Sequence, residues 1–530
     1  MIILLIIFFA LRQARTIFRN LALWQIKEYR LDRIILHYKN TDIGRKELRS
    51  PFAICKWTLL TIGFFTSQLF VLVIYLALLL PEIGSSLVEL KNGTLKRPKV
   101  ITPRIVLTSI LAIAILLSVT YFARSLLSLP PLVVMILVDR LTFASVGLGM
   151  AVTAVPSVML RLIAVKKALV KREQLSKLIV IGITGSVGKT STKEFTCQLL
   201  KNKFLTAATQ EHDNSDIGIA RSILNNVTPE TEIFVAEMGA YKRGEIANLC
   251  KIAKPKIGIL TYIGTQHLEL FGGKDNITQA KYELIESLPQ DGTAILNTDN
   301  EVIESLVSKT RAQVKTITIG TKGNPDIKAE NITLHENGIS FKMTHRGKTV
   351  QINTQIYGAN FVPNLLAAAA SGIVLGMSLK DIKTALEKLK NPNDALRRIV
   401  GPSKSLFFDD TYNASPESVA ADVELLNNYP GIKTKFLVLQ PMIELGDTAK
   451  EEHLRVGKYL KEGKLNGIFL TNINFKDDIQ NGAQDKANKI YFGKDSQELA
   501  DKIRSLLDPQ VGIVFKGKES NSILLKLQTQ

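Results

Sequence analysis

Gly182-Ile183-Thr184-Gly185-Ser186-Val187-Gly188-Lys189-Thr190-Ser191 stands between the apolar run Leu178–Ile181 and a segment, Lys189–Leu200, of helical character. A strand, a glycine-rich turn and a helix in that order cradle the phosphates of a nucleotide. Glycines let the backbone bend so that successive N–H groups converge on anionic oxygens, and the helix N-terminus adds a favourable dipole. Lys189 would reach the β- and γ-phosphates, and the Thr190 hydroxyl would complete a magnesium shell. The spacing departs from the general P-loop pattern. Ile183 occupies the place of its first glycine, and the glycines here are Gly182 and Gly185. Gly-Lys-Thr by itself also fits an ordinary glycine turn.

A chain of 530 residues has room for roughly three or four domains. Its net charge of +19 first suggests nucleic acid, but the charge is unevenly placed. Residues 1–174 carry 23 Lys and Arg against 8 Asp and Glu, a balance of +15, and the remainder balances at only +4. The basic excess lies among hydrophobic segments, where it reads as membrane topology and attraction to anionic membrane lipids. Nucleic acid is therefore not an expected partner. Cys55, Cys197 and Cys250 are scattered and lack metal-like spacing, which fits a reducing compartment and no disulfide framework.

Residues 1–174 read as a membrane region with several transmembrane helices. Trp57–Leu80 is a stretch of 24 residues without a formal charge, enough to cross ~30 Å of hydrocarbon. Ile105–Ala123 and Leu141–Leu160 are two further spans, the latter accommodating Pro156. Leu126–Val138 is shorter, holds Pro130-Pro131, and reads as a short span or a re-entrant piece. Ile2–Leu11 is too short to cross alone. Arg12, Arg15 and Arg19 follow it at helical spacing, suggesting an amphipathic helix lying in the interface. A signal peptide fits poorly, because the basic residues follow the apolar run. Lys27–Lys56 and Arg161–Arg172 are rich in Lys and Arg and are expected in the cytoplasm, so an even number of crossings should separate them. The expected location is the cell membrane, multi-pass, with the soluble part cytoplasmic.

From Leu178 onward, β-rich runs alternate with helical patterns: Leu178–Ile181, Ile233–Ala236, Ile257–Ile263 and Thr293–Leu296, with a helix at Asn276–Leu288. Such alternation implies an α/β domain with a mainly parallel sheet. Ile327–Ile356 alternates as a small β excursion turning at His345–Lys348, and an alanine-rich helix follows at Asn364–Leu375. A second α/β set begins near Ile399, with strands at Ser405–Phe408, Phe436–Leu439, Gly467–Leu470 and Gly512–Phe515. The expected division is 1–174, 175–398 and 399–530: an α-helical transmembrane segment, a P-loop ATPase domain, and a Rossmann-like C-terminal domain.

Four stretches fall at strand C-termini or on the next helix, where an α/β sheet gathers its ligands. They are Ala236-Glu237-Met238, the segment Ile263-Gly264-Thr265-Gln266-His267, Gln279-Ala280-Lys281, and Asp409-Asp410-Thr411-Tyr412-Asn413. Singly, each has an ordinary structural reading. Glu237 would serve as a cap, His267 as a core histidine, Lys281 as a solvated helix residue, and the Asp pair as a turn.

Together and in this order, these motifs resemble the Mur ligases of peptidoglycan synthesis, and within them the branch that adds D-alanyl-D-alanine to a muramoyl tripeptide. Met442-Ile443-Glu444-Leu445-Gly446, with His453 and Gly457, adds to the likeness, which runs from about Leu178 to Lys518. The resemblance implies a central ATPase domain and a closing C-terminal domain. It also implies ATP and Mg2+ as cofactors, activation of a carboxylate as an acyl phosphate, and attack by an amino acid or dipeptide. By the same resemblance, Thr184 to Ser191 hold the phosphates, and Lys189, His267 and Lys281 are catalytic. Thr190, Glu237, His267 and a carbamylated Lys281 hold metal; Asn297 contacts adenine and Arg398 the phosphates. Asp410, Tyr412 and Asn413 contact the nucleoside.

Three departures stand out. Gln440-Pro441 replaces the family's Gly-Asp, and Lys516-Gly517-Lys518-Glu519-Ser520 only partly follows its Lys-Gly-Ser-Arg. Membrane segments occupy the place of the uridine-nucleotide-binding domain. The expected function is thus an ATP-dependent amide-bond ligase whose muramoyl-peptide acceptor is nucleotide- or lipid-linked. A transporter, or a scaffold that only binds nucleotide, is the alternative. The apparent lack of an intramembrane carboxylate pair speaks against transport.

Overall fold

The computed structural model describes residues 2–27, 29–40, 51–63, 65–91, 97–210, 213–264, 268–392, 396–442, 445 and 448–528. The chain divides into two compact units, Met1–Leu162 and Ile163–Gln530.

In the first unit, the described helices are Ile2–Ile26, Leu31–Asn40, Pro51–Ile62, Gln68–Lys91, Pro103–Ser125 and the beginning of Pro131–Gln174. Three helices are long and apolar enough to cross a membrane by length and composition: Gln68–Glu89, Pro103–Ser125 and Pro131–Gln174. The stretch Trp57–Leu80 is not one span. Its helix ends at Ile62, Gly63 continues only as a turn, and a new helix begins at Gln68 with the Ser67 hydroxyl accepting the Phe70 N–H. Leu126–Val138 is neither a separate span nor a re-entrant piece. Pro131, whose missing N–H suits a first helical turn, opens the helix that runs on through Leu141–Leu160.

The N-terminal arginines also differ from expectation. Instead of facing an interface, Arg12 pairs with Glu82 (2.5 Å) and Asp139 (2.9 Å), and Arg15 pairs with Glu89. Lys56 joins the same cluster, 3.1 Å from Asp139 and 2.5 Å from Glu82. Lys56 is fully buried, so it belongs to the helical core rather than to an exposed basic segment. Two carboxylates do therefore meet among these helices, Glu82 answered by Arg12 and Lys56, and Asp139 by the same two and by Arg140 at 3.9 Å. Sequence inspection missed them because Glu82 and Asp139 lie 57 positions apart.

The second unit carries two sheets. The first contains β1 (Ile179–Thr184), β2 (Thr206–Ala208), β3 (Ile233–Glu237), β4 (Ile257–Leu260), β5 (Thr293–Asn297), β6 (Lys315–Gly320), β7 (Ile327–His335), β8 (Gly338–His345) and β9 (Lys348–Thr354). Their order is β2-β3-β1-β4-β5-β6-β7-β8-β9. Strands through β7 pair in parallel, and β7, β8 and β9 pair antiparallel, so the β excursion extends the same sheet. The strand expected over Ile257–Ile263 stops at Leu260. Beyond it, side chains take the carbonyls: Asn297 bonds Thr261 O at 2.8 Å and Asn300 bonds Ile263 O at 3.1 Å.

The second sheet contains β10 (Arg397–Val400), β11 (Leu406–Asp410), β12 (Thr434–Leu439), β13 (Gly467–Leu470), β14 (Ile490–Phe492) and β15 (Val511–Lys516). It is ordered β10-β11-β15-β12-β13-β14, parallel except for β10 against β11. A division at 398/399 would cut through β10. Apolar strands read as continuous runs because both faces are covered: every residue of β3, β4, β5, β13 and β15 is buried. The two halves of the unit touch where the Tyr429 hydroxyl donates to Glu336 O at 3.1 Å.

Candidate active site

The glycine-rich turn leaves β1 and enters the helix Lys189–Leu200 at Gly188, whose φ of +85° is a left-handed cap that favours glycine. Gly185 is fixed by space: a Cβ there would lie 2.0 Å from Thr261 Oγ1. The turn is braced from the adjacent strand end. Thr261 donates to Val187 O at 2.6 Å, Ser186 N–H to Tyr262 O at 2.6 Å, and Gly264 N–H to Ser186 Oγ at 3.1 Å. Thr184 is fully buried and donates to Met238 O at 2.8 Å, so its hydroxyl ties β1 to the end of β3. Ser186 is buried as well, whereas Val187, Gly188, Lys189, Thr190 and Ser191 are half-buried.

Lys189 Nζ donates to Gly185 O (2.8 Å) and Ser186 O (3.1 Å) within its own loop. Its ammonium is pushed below the usual lysine range by burial, with Glu237 pulling the other way. Because β1 and β3 are neighbours in parallel register, Ile183 pairs with Glu237. That register sets the Glu237 carboxylate beside the first turn of the helix, where Thr190 Oγ1 donates to Glu237 Oε2 at 3.0 Å. Asn214 Nδ2 bonds the other carboxylate oxygen at 3.3 Å, and Thr209 Oγ1 accepts the Glu237 backbone N–H at 3.0 Å.

Lys281 lies on the helix Lys274–Glu286 and is buried, its ammonium 5.6 Å from the centre of the Phe271 ring. Burial, and then the positive charge of Lys189, push it down to about 7. The two lysines and Glu237 therefore act on one another. His267 lies outside the described residues.

The donor set fits a hard divalent cation. A hydroxyl and a carboxylate oxygen already meet at bonding distance, and oxygen ligands suit magnesium. Lys281 as an ammonium does not fit, but a lysine titrating near neutrality has the neutral amine that carbamylation requires. Among the described residues, no cluster of three or more His, Cys, Asp or Glu side chains is present, so Thr190 and a modified Lys281 would have to contribute.

The remaining expected residues are placed less directly. Asn297 is buried, with its amide donating to Thr261 O and accepting the Asp299 N–H, so a bond to adenine needs those contacts to exchange. Arg398 sits on β10 opposite Phe408, in the second sheet. Asp410 ends β11 and its carboxylate is held by Lys516; Tyr412 and Asn413 follow in an exposed loop. His453 is buried, accepts the Met442 N–H at 3.0 Å and stacks on Phe475, which ties its helix to Met442 beyond β12.

Several residues were not singled out from sequence. Asn214, Thr209 and Thr261 brace Glu237 and the turn, and Asn364 Oδ1 lies 3.0 Å from where a Cβ on Gly188 would stand. Lys193, fully buried, brings its ammonium 4.0 Å from Glu237. Its place one helical turn after Lys189 was the available signal.

A P-loop at the C-terminal edge of a parallel sheet, with a strand-end carboxylate and a second α/β domain, defines a nucleotide-dependent enzyme of two catalytic-type domains. Residues 183–372 match the Mur ligase middle domain, and residues 397–519 match the domain described as Mur ligase, glutamate ligase domain. The chain is 34% identical over 345 residues to the UDP-N-acetylmuramoyl-tripeptide–D-alanyl-D-alanine ligase of Synechocystis, covering 64% of this chain and 72% of that one. It is similar to crystal structure I of MurF from Acinetobacter baumannii (TM-score 0.64, 29% identity, 70% of this chain and 81% of that one). MurF from Thermotoga maritima in complex with ADP is similar too (TM-score 0.62, 29% identity, 68% and 83%). The chain belongs to the Mur ligase family and is an ATP-dependent acid–amino-acid ligase. Both domain matches begin after residue 182, so the helical unit lies outside them.

Proposed function

We propose that the protein joins D-alanyl-D-alanine, or a closely related amine, to the terminal carboxylate of a muramoyl-tripeptide acceptor. ATP would be converted to ADP and phosphate. The observation that carries this reading is the meeting of Lys189, Thr190, Glu237 and Lys281 around one edge of the first sheet. Triphosphate and carboxylate repel each other, and this is where cations must offset that repulsion. ATP supplies the phosphoryl group that turns the carboxylate into an electrophile. Thr190, Glu237, His267 and a carbamylated Lys281 would hold magnesium, which would supply charge neutralisation there. The N–H groups of the turn and Lys189 bind and orient the phosphates. Asn297 and Arg398, with the loop Asp410, Tyr412 and Asn413, complete the nucleotide contacts.

The membrane part of the reading is that the helices of the first unit span the cell membrane with the ligase domains in the cytoplasm. Large apolar side chains such as Leu69, Leu117 and Leu160 are exposed on these helices, as lipid contact requires. Three helices are long enough to cross, and Pro51–Ile62, at 12 residues, is too short for ~30 Å of hydrocarbon, so an even number of crossings between two cytoplasmic basic segments requires that one of the three does not span. A bilayer anchor in place of a uridine-nucleotide domain favours a lipid-linked acceptor.

The test is to supply the full-length protein with ATP, magnesium and D-alanyl-D-alanine, together with the muramoyl tripeptide in either its nucleotide-linked or lipid-linked form. Phosphate release and product mass are read. Amide product from the lipid-linked form alone supports the whole reading, turnover of the nucleotide-linked form alone removes the lipid-linked part, and no amide product with either removes the ligase assignment of substrates.

A further inference from the structure

The C-terminal ends of β11 and β15 share a charge cluster in which two members, Lys516 and Asp422, have no role in the chemistry above. Lys516, the last residue of β15, is 1% exposed. Its ammonium donates to the carboxylate of Asp410, the last residue of β11, and lies 3.0 Å from Asp422 Oδ2 on the helix Pro416–Asn428. One ammonium stands between the buried carboxyl of Asp422 and the half-buried carboxylate of Asp410, an excess of negative charge that burial disfavours. The Asp422 carboxyl is pushed up to about 8 by burial and by the neighbouring Asp410, against the pull of Lys516. Asp410 and Lys516 then form the ion pair, and Asp422 completes the ammonium's shell.

The residues that follow on each strand are also joined. The Gly517 N–H donates to Asp410 O at 3.2 Å, and the Lys518 ammonium lies 5.6 Å from the centre of the Tyr412 ring. The segment Lys516–Lys518 thus grips the Asp410–Tyr412 segment at both ends. The sheet ends at Asp410; Thr411 then bonds back to the Asp409 carboxylate, and Tyr412 and Asn413 follow exposed.

We propose that Lys516 is a positioning residue for nucleotide binding: with Lys518 on Tyr412, it clamps Asp410 and sets the direction of the Asp410–Asn413 loop. The inference rests on the reading that this loop contacts the nucleotide. The buried Lys516 ammonium, held between Asp410 and Asp422, keeps one geometry because leaving it unpaired in the interior is costly.

The experiment measures ATP affinity by displacement of a fluorescent ADP analogue, together with ATP KM and kcat, on the full-length protein. Lys516→Met is expected to weaken ATP binding and raise KM at least tenfold while kcat at saturating ATP falls less than threefold. Lys516→Gln, which keeps a donor without the charge, should fall between Lys516→Met and the native protein, and it decides the matter if Lys516→Met does not fold. A merely structural lysine would lower the melting temperature and kcat without moving KM. Tyr412→Ala is the reference for the loop. Native ATP affinity in the folded Lys516 variants, with weakened affinity in Tyr412→Ala, overturns the clamp alone. Native affinity in Tyr412→Ala and the Lys516 variants alike overturns the loop's nucleotide role and the clamp with it.

Discussion

The Thr190 hydroxyl donates to a carboxylate oxygen of Glu237 across 3.0 Å, although the two residues are 47 positions apart. A hydroxyl and a carboxylate joined in this way are poised to share a cation, since each offers an oxygen to the same point. Thr190→Val keeps the shape of the side chain and removes that oxygen. Turnover should fall on the order of 10²-fold or more, with a matching rise in the magnesium concentration needed for half-maximal rate. Thr190→Ser should retain most activity. An unchanged magnesium requirement in Thr190→Val would sink the assignment.

Lys189 reaches back to Gly185 O and Ser186 O, which holds its ammonium at the rim of the turn. Removing it as Lys189→Ala deletes the cation that offsets the phosphate charge, so ADP formation should drop by roughly three orders of magnitude. Steady-state assays with the folded variant, checked by its melting curve, measure this.

Lys281 titrates at about 7, far below an exposed lysine. Between about 7 and about 10 the unfolded chain binds the proton that the folded site rejects, so the unmodified protein should gain stability as pH rises through that window. Melting curves in carbon-dioxide-free buffer check the sign. With ¹³C-labelled bicarbonate, a carbamate resonance should appear in the native protein and vanish in Lys281→Ala. Its absence from fully active native protein would remove the modification from the reading.

At Gly185 there is no room for a methyl group, because Thr261 Oγ1 would stand 2.0 Å away and the Tyr262 backbone about as close as 2.9 Å. Gly185→Ala should therefore push the turn off its brace at a cost of about 1–3 kcal/mol, and weaken ATP binding as well. Gly185→Ala with Thr261→Ala tests the cause: relief of the strongest clash should restore part of the stability.

In the helical unit, Lys56 sits between Glu82 and Asp139, both already paired with Arg12. Lys56→Met leaves Arg12 shared between two carboxylates, with an excess negative charge at the buried Asp139, and should destabilise the detergent-solubilised protein by up to about 3–5 kcal/mol. Adding Asp139→Asn should recover much of that loss. Two additive losses in thermal denaturation would show that the two residues do not depend on each other.

Much of the fold was legible because its signals are local. The helix Lys189–Leu200 begins at Lys189 in both sequence and structure, and Gly467–Leu470 is a strand in both. Apolar runs of four to six residues in a parallel sheet, and helices of mixed polarity between them, leave their period in the chain itself. Short edge elements such as β2 and β14, three residues each, carry too little pattern to be seen. The break at Gly63 inside an uncharged stretch was hidden for a related reason: hydropathy reports length and polarity, not where a backbone turns.

The order of motifs in the chain was enough by itself to determine the family, the P-loop and the parallel α/β architecture, because glycine turns and hydrophobic periods are written in consecutive residues. Only the tertiary structure decided which groups meet. Strand order β3-β1-β4 sets Glu237 against Thr190 and buries Lys281 near Lys189, and helix packing joins Arg12, Lys56, Glu82 and Asp139. Charge pairing and burial depend on distance through space, and the chain's numbering carries no measure of that distance until the sheets and helices are assembled.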